Sequence, residues 1–134
     1  MNYLTPNEII LINRKMTLHF GGLFLYPDNI HNRNAFDYLI EAVQAKVFGR
    51  ELYPDISNKA AAYIFNIICN HIFIDGSKRT GLEAALLFLE KNNFILKFEV
   101  TNQELISLAL EIAEGQKDFE SVVNWFSSRI KSKY

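Results

Sequence analysis

The sequence lacks several features that would indicate particular classes of protein. Its one cysteine, Cys69, rules out a disulfide within the chain, and a lone cysteine in an apolar run is expected to be a small core residue. No apolar run approaches the ~20 residues of a membrane-spanning helix. The N-terminus, MNYLTPNEII, lacks the basic and then apolar order of a signal peptide. We therefore expect a cytoplasmic protein with no membrane contact.

An excess of charge of one sign is also missing. The formal net charge is −1, and both signs are spread along the 134 residues. A general nucleic-acid binder would show a basic excess, so we expect no direct nucleic-acid binding, although one basic pocket is compatible with this balance. Internal repeats, low-complexity stretches and linkers are absent. The length suits a single domain over residues 1–134.

Apolar residues, by contrast, make up 49% of the chain and recur at helical spacing. Thr5, Pro6 and Glu8 predict the start of a first helix, because they supply a cap, a first-turn proline and a capping box. Its predicted buried face includes Ile9 and Phe20. Further helices are predicted over about 34–48, 57–68, 78–91, 102–113 and 118–130. Six helices and little strand predict an all-α, single-domain six-helix bundle, with a short hairpin allowed in the 49–57 connection.

One short polar segment, His71–Thr80, joins two of these helices that are apolar almost all round. Gly76 allows a tight turn, and Ser77 is predicted to cap the helix that follows. Lys78 and Arg79 then fall in its first turn, where cations oppose the helix dipole unless an anion is bound. Exposed N–H groups, the dipole, a lysine and an arginine fork together predict a phosphate site over residues 76–79.

The same segment carries groups that suit phosphoryl chemistry. Asp75 precedes the glycine, and a carboxylate beside a polyphosphate usually holds Mg²⁺. His71 ends the preceding helix, where a neutral imidazole can take a proton from an attacking hydroxyl. Phe73 and Ile74 are interpreted as anchors of the loop. Taken singly, His71 also fits a helix cap and Asp75 a turn residue, while the two cations fit a solvated surface. Their order at a buried helix terminus favours the functional interpretation.

The segment His71–Arg79 resembles the signature H-x-F-x-[DE]-G-N-[GK]-R of the Fic/Doc family. The continuation Thr80–Leu89, the opening Leu4–Glu8 and the stretch Phe20–Leu23 resemble the Doc branch in particular. The resemblance therefore extends over nearly the whole chain. It implies the all-helical Fic/Doc fold and the use of ATP and Mg²⁺.

The resemblance also implies roles for individual residues. His71 stands at the position of the catalytic histidine, and Asp75 at that of the Mg²⁺ carboxylate. Gly76, Lys78 and Arg79 match the nucleotide-phosphate site. The family places a flap that docks the extended backbone of the target protein where this chain has Gly49, Arg50, Glu51, Leu52, Tyr53, Pro54 and Asp55. An ordinary connection is the other interpretation of that segment.

The activity implied by the Doc branch is transfer of the γ-phosphate of ATP to a serine or threonine hydroxyl of a protein, with elongation factor Tu as the suggested target. Proteins of this branch resemble toxins that a separate antitoxin holds inactive, so an antitoxin partner is implied. Ile72 and Leu82 replace a proline and a second arginine of AMP-transferring relatives, as in Doc, and Ser77 replaces the usual asparagine. AMP transfer to a protein, or a catalytically weak nucleotide-binding or partner-binding module, are the alternatives.

Overall fold

The first helix begins where the sequence predicts it. In the computed structural model, which describes residues 1–134, α1 spans Pro6–Phe20. Glu8 N donates to Thr5 Oγ1 at 3.1 Å, and Thr5 N donates to Glu8 Oε1 at 2.8 Å, so the capping box is formed. Because both side chains satisfy backbone donors that a helix start leaves free, the start of α1 is fixed by its own sequence.

The buried face of α1 differs from the predicted one. Asn13 and Thr17 are buried together with Ile9, whereas Phe20 is 51% exposed. Asn13 can be buried because both polar atoms of its side chain have hydrogen-bond partners, in the loops that α1 covers and at the start of α4. A prediction from the spacing of apolar residues alone therefore gave the wrong buried face for α1. It included Phe20 and left out Asn13 and Thr17.

Six helices form most of the fold, which confirms the predicted helical bundle. Two small antiparallel sheets, β1 with β2 and β3 with β4, complete it. The elements that follow α1 are α2 (Arg33–Ala42), β1 (Lys46–Val47), β2 (Arg50–Glu51), α3 (Ile56–Cys69), α4 (Ser77–Lys91), β3 (Phe94–Leu96), α5 (Asn102–Ala113), α6 (Phe119–Arg129) and β4 (Ile130–Ser132).

The second helix ends earlier than predicted. It stops at Ala42 rather than near residue 48, and β1 and β2 then form a hairpin with Val47 paired to Arg50. The two turn residues, Phe48 and Gly49, have φ of 52° and 78°. Two consecutive positive φ values match the tight turn that suits the twist of a two-residue hairpin. A hairpin thus replaces the last turns of the predicted helix, and Val47 is an exposed strand residue.

Helix α3 lies at the centre of the molecule, as its apolar sequence predicts. It packs most extensively against α4 and also contacts α2, α5 and α6. A Cβ at Gly81 of α4 would lie 3.2 Å from the Ile64 carbonyl oxygen and 3.1 Å from Ile68 Cγ1. The missing side chain therefore lets α3 and α4 approach closely, and these two helices support the segment between them.

Some boundaries and burial assignments need correction. Asp55, rather than Ser57, caps α3, because Asp55 Oδ1 accepts from Asn58 N at 2.8 Å. The chain leaves α6 at Arg129 and forms β4, which pairs with β3 and was not predicted. Cys69 is exposed at the end of α3, whereas Trp125 is buried as expected. Phe48 and Phe98 are almost fully exposed, so the aromatic residues are not all core.

Candidate active site

The polar segment between α3 and α4 is held in place by backbone pairing. Helix α3 ends at Cys69, and His71 then adopts a left-handed conformation with φ of 45°. The Ile72 carbonyl accepts from His31 N at 2.7 Å, and Ile74 N donates to the Asn29 carbonyl at 2.9 Å. The segment that contains residues 29–32 thus forms a short edge alongside residues 72–74, which fixes the path of the chain after His71.

Two apolar side chains anchor the segment to the core. Ile72 and Phe73 are buried, and the Phe73 ring packs edge-on against Phe36 with centroids 6.2 Å apart. Ile74, which the sequence indicated as a second anchor, is 41% exposed. The chain pairs with Ile30 at Phe73, and from there successive side chains of the extended chain point to opposite sides. Phe73 therefore points inward and Ile74 outward.

A cavity of about 190 Å³ opens beside this segment. It is lined by seven of the residues that the sequence predicted for catalysis, metal binding, phosphate binding and loop anchoring. Its lining residues are Ile68, His71, Phe73, Ile74, Asp75, Gly76, Ser77, Lys78 and Ala113. The structure therefore brings the imidazole of His71, a carboxylate and the start of α4 to the wall of one cavity.

The start of α4 differs from the prediction in one respect. Gly76, with φ of 78° and ψ of 15°, precedes the first helical residue, and no side chain caps the helix. Ser77 is that first residue, and its Oγ lies 3.3 Å from Phe73 N and 3.4 Å from Phe73 O. Ser77 thus bridges back across the loop instead of capping α4. The first-turn N–H groups of α4 have no side-chain partner and remain available to an anion.

The carboxylate of Asp75 is oriented by two backbone groups. Oδ2 accepts from Leu23 N at 3.0 Å, and Oδ1 accepts from Gly76 N at 2.9 Å. A Cβ at Gly22 would lie 3.0 Å from Oδ2, and the φ of Gly22 is 139°. Gly21 is the C-cap of α1, and Gly22 after it gives the carboxylate room. Each carboxylate oxygen accepts a single bond and keeps acceptor capacity for a cation.

Arg79 lies apart from the cavity that contains His71. Its guanidinium carbon is 3.7 Å from the centroid of the Phe20 ring, a stacked cation–π contact. It lines a neighbouring cavity of about 140 Å³, which shares Lys78 with the first. The other residues of this second cavity are mostly apolar: Leu82, Ile106, Ala109 and Leu110. Lys78 is therefore the residue that connects the two cavities.

Comparison with known proteins assigns this arrangement to a family. The sequence pattern described as "Fic/DOC family" matches residues 3–89, which include α1 to α3, most of α4 and the whole segment just described. The chain belongs to the Fic/DOC family. It is 31% identical over 124 residues, 92% of both chains, to "Protein kinase doc" of Escherichia phage P1. It is also 30% identical over 120 residues to "Toxin Doc" of Mycolicibacterium smegmatis, covering 90% of this chain and 87% of that protein.

Sequence reasoning missed a buried amide network beneath the Fic/DOC signature. Asn13 Nδ2 donates to the Asp75 carbonyl at 2.8 Å and to Thr80 Oγ1 at 3.0 Å. Asn13 Oδ1 accepts from Asn29 Nδ2 at 2.9 Å. Asn29 also donates to the Leu23 carbonyl at 2.9 Å. The network joins α1, the loop after it and the signature. Its one visible sequence signal was a polar residue on the apolar side of α1.

The predicted flap has its own place in the fold. Gly49 occupies the hairpin turn, and Arg50 and Glu51 form β2, so the hairpin begins three residues before the predicted segment, at Lys46. Leu52 and Pro54 are exposed. The Tyr53 ring packs 5.5 Å from that of Phe119, and Asp55 caps α3. The predicted range thus contains half of the hairpin and the connection that ties it to α3.

Three other residues with titratable side chains are not candidates for the chemistry of the site. His19 and His31, which have no polar cluster around them in the sequence, are exposed. Cys69 lies two residues before His71, but partial burial of its sulfur raises the pKa of the thiol. A raised thiol pKa lowers the thiolate population near neutral pH, and the thiolate is the reactive form.

No helix of the chain combines the length and apolar character that crossing a membrane requires.

Proposed function

We propose that the chain is a Doc-like toxin that transfers the γ-phosphate of ATP to a serine or threonine hydroxyl of a protein. The observation that supports this proposal is the shared cavity, which is lined by His71, by the uncapped start of α4 and by Lys78. Phosphoryl transfer depends mainly on positioning and on stabilisation of charge at the phosphate oxygens. A base, amide donors and a cation in one cavity suit that task.

The lining of the two cavities supports one orientation of ATP. The second cavity is mostly apolar and offers Leu82 where a polyphosphate would need a donor. Such walls suit the base of a nucleotide better than its phosphates. With the base there, the phosphate chain would pass Lys78 and end with the γ-phosphate in the cavity of His71. The name of the phage P1 relative, "Protein kinase doc", agrees with this orientation.

The proposed reaction is a single displacement. The hydroxyl of the protein substrate gives its proton to His71, and its oxygen forms a bond to the γ-phosphorus. The bond between that phosphorus and the oxygen bridging to the β-phosphate breaks, and ADP leaves. Ser77 and Lys78, which the turn at Gly76 exposes, would stabilise the equatorial oxygens through their backbone N–H groups and the lysine ammonium.

The donor set fits a magnesium ion bound together with a nucleotide. Mg²⁺ commonly takes one or two protein carboxylate oxygens, with water and phosphate oxygens as the remaining ligands. The oriented carboxylate of Asp75, which has acceptor capacity left on both oxygens, supplies that contact. The ion would supply positive charge at the phosphate oxygens, and Asp75 would hold it.

Two parallel reactions test the direction of transfer. The chain is incubated with a bacterial lysate and ATP labelled either at the γ or at the α position. We expect label on protein from the γ position alone, because the apolar second cavity disfavours the phosphates. Label from the α position would establish AMP transfer instead. Label from neither position, with ATP binding retained, would establish a nucleotide-binding module without transfer activity.

Arg79 provides a separate test of the phosphate site. Arg79→Ala is expected to weaken binding of Mg·ATP by at least about tenfold, because Arg79 and Lys78 line the second cavity together, where the phosphate chain would leave the base, and an arginine contact to phosphate is worth ~1.5–3 kcal/mol. The melting temperature without ATP should change little, since the side chain is exposed and sits in the first turn of a helix, where a cation is not stabilising. Arg79→Lys is the matched control that retains the charge. A large fall in the ligand-free melting temperature, with ATP stabilisation intact, would make Arg79 a structural residue.

The partners proposed for the chain follow from its relatives. The Mycolicibacterium smegmatis relative is named "Toxin Doc", and the resemblance to the Doc branch implies an antitoxin that holds such a toxin inactive. We propose a separate antitoxin and, as protein substrate, elongation factor Tu. Purified elongation factor Tu in the γ-label reaction tests the second point directly: incorporation at a threonine or serine supports it, and labelling of other lysate proteins alone contradicts it.

A further inference from the structure

A buried lysine lies at the base of the hairpin, outside the cavity that contains His71. Lys59 of α3 is 1% exposed. Its Nζ donates to the Val43 carbonyl at 3.1 Å, to the Tyr53 carbonyl at 2.6 Å and to Glu51 Oε1 at 3.2 Å. A lysine ammonium has three donors and no acceptor, so each donor has one oxygen. A buried ammonium whose donors are all paired indicates that the side chain holds specific parts of the fold together.

The three acceptors lie on both sides of the hairpin. Val43 precedes β1, Glu51 lies in β2, and Tyr53 follows β2. One side chain of α3 therefore joins the strand that enters the hairpin to the strand that leaves it. Each strand has two residues. An isolated hairpin is marginally stable at best even when longer, so contacts at its base have to set its position.

The surroundings of the ammonium keep it in place. Val43 directly follows α2, and the carbonyls at the end of a helix lack helical partners and favour a cation. The ring of Tyr3 lies 5.5 Å from Nζ and covers it from the N-terminal segment. Glu51 is partly exposed and contributes the one opposite charge. Two backbone carbonyls, rather than the ion pair alone, therefore define the geometry of this contact.

We propose that Lys59 is a positioning residue for the protein substrate, which it serves by fixing the hairpin Lys46–Glu51 on the body of the molecule. That the substrate docks on this hairpin is what the family resemblance implies for residues 49–55, and the claim rests on the proposed function. The tip of the hairpin is free for such a contact, since Phe48 is fully exposed and Val47 is 49% exposed. A fixed hairpin presents its free backbone edge in one orientation, which lowers the entropy lost when an extended segment pairs with it.

Trypsin tests the fixing of the hairpin without any substrate. Lys46 and Arg50, both exposed, provide cleavage sites within the hairpin. Lys59→Met keeps an unbranched side chain of similar length and removes all three donors. We expect cleavage after Lys46 or Arg50 to become at least about tenfold faster, which corresponds to about 1.4 kcal/mol in the opening equilibrium. Fragment masses over time locate each cut and give its rate.

A matched variant separates local opening from general loosening. Lys91→Met breaks another lysine contact, the pair of Lys91 Nζ with Glu8 Oε2 at 2.7 Å, between α4 and α1. It should leave cleavage in the hairpin at the wild-type rate. Unchanged hairpin cleavage in Lys59→Met would overturn the proposal. Equal acceleration at sites throughout that variant would also overturn it, because Lys59 would then support the whole fold.

Kinetics connect the fixed hairpin to the substrate. With γ-labelled ATP, Lys59→Met should need a several-fold higher lysate concentration for half-maximal labelling, while the half-saturating ATP concentration stays at the wild-type value. An unchanged lysate dependence would contradict the positioning role. A wild-type chain that labels nothing would refute the proposed function alone, because the trypsin result does not depend on transfer.

Discussion

His71→Ala is expected to lower the rate of phosphoryl transfer by about 10²–10⁴-fold, the usual contribution of a general base, while ATP binding is largely retained. The side chain lines the cavity that contains Asp75 and the start of α4. The proposed phosphate contacts come from residues 76–79, which this substitution leaves in place. Single-turnover transfer and an equilibrium ATP titration, on the same protein preparation, measure the two effects separately.

The backbone at His71 requires a second variant. Its φ of 45° lies in the left-handed region, where residues other than glycine are strained and asparagine is among the better tolerated. His71→Asn therefore keeps the turn at low cost but does not act as a base near neutral pH. Equal losses in the two variants would assign the effect to the missing imidazole. Near-wild-type turnover in either variant would show that His71 is not a general base and serves only to end α3.

The elements that the sequence predicted well are those fixed by local contacts. Thr5 and Glu8 form their capping box, and Thr101 forms another with Glu104 at the start of α5. Each of these starts depends on residues three positions apart. The signature segment is also continuous in sequence. Most of its residues therefore line one cavity, Arg79 excepted, although distant residues such as Asn13 and Asn29 hold the segment in place.

The features that the sequence did not predict depend on distant contacts. The β4 strand has residues compatible with a longer α6, and pairing with β3 decides its conformation. Asn13 is buried because Asp75, 62 residues away, offers a carbonyl to it. Lys59 was counted within an apolar helix, and its role appears only when Val43 and Tyr53 are brought to it. Side chains that form hydrogen bonds with two or three distant backbone groups leave no periodic pattern in the sequence.

The prediction that Ser77 caps α4 follows a general rule for helix starts, but it is wrong at this position. A serine before a helix is a common cap, yet the turn at Gly76 places Ser77 inside the helix, one position too late to cap it. Its hydroxyl bonds to Phe73 instead. The result favours the proposed site, because the N–H groups that a serine cap would have occupied are left for a phosphate.

Asn13→Leu is expected to damage both the stability of the fold and the binding of Mg·ATP. Asn13 is fully buried, donates to the Asp75 carbonyl and Thr80 Oγ1, and accepts from Asn29 Nδ2. Leucine has a similar volume but no hydrogen-bonding group. Each buried partner that loses its bond costs about 1–3 kcal/mol in the free energy of unfolding. Chemical denaturation measures this loss directly.

The second effect of Asn13→Leu separates support of the site from support of the fold. Without Asn13, the Asp75 backbone loses its anchor and Asn29 loses one of its partners, so the carboxylate is no longer held in one orientation. We expect the gain in ATP affinity that Mg²⁺ confers, measured by titration with Mg²⁺ and with EDTA, to fall by about tenfold, or ~1.4 kcal/mol.

Thr17→Val is the control, because Thr17 is buried nearby in α1 but bonds only to carbonyls of its own helix. That variant should keep the wild-type gain. If Asn13→Leu loses stability but also keeps the wild-type gain from Mg²⁺ under conditions where it is fully folded, the amide network supports the fold and does not orient Asp75.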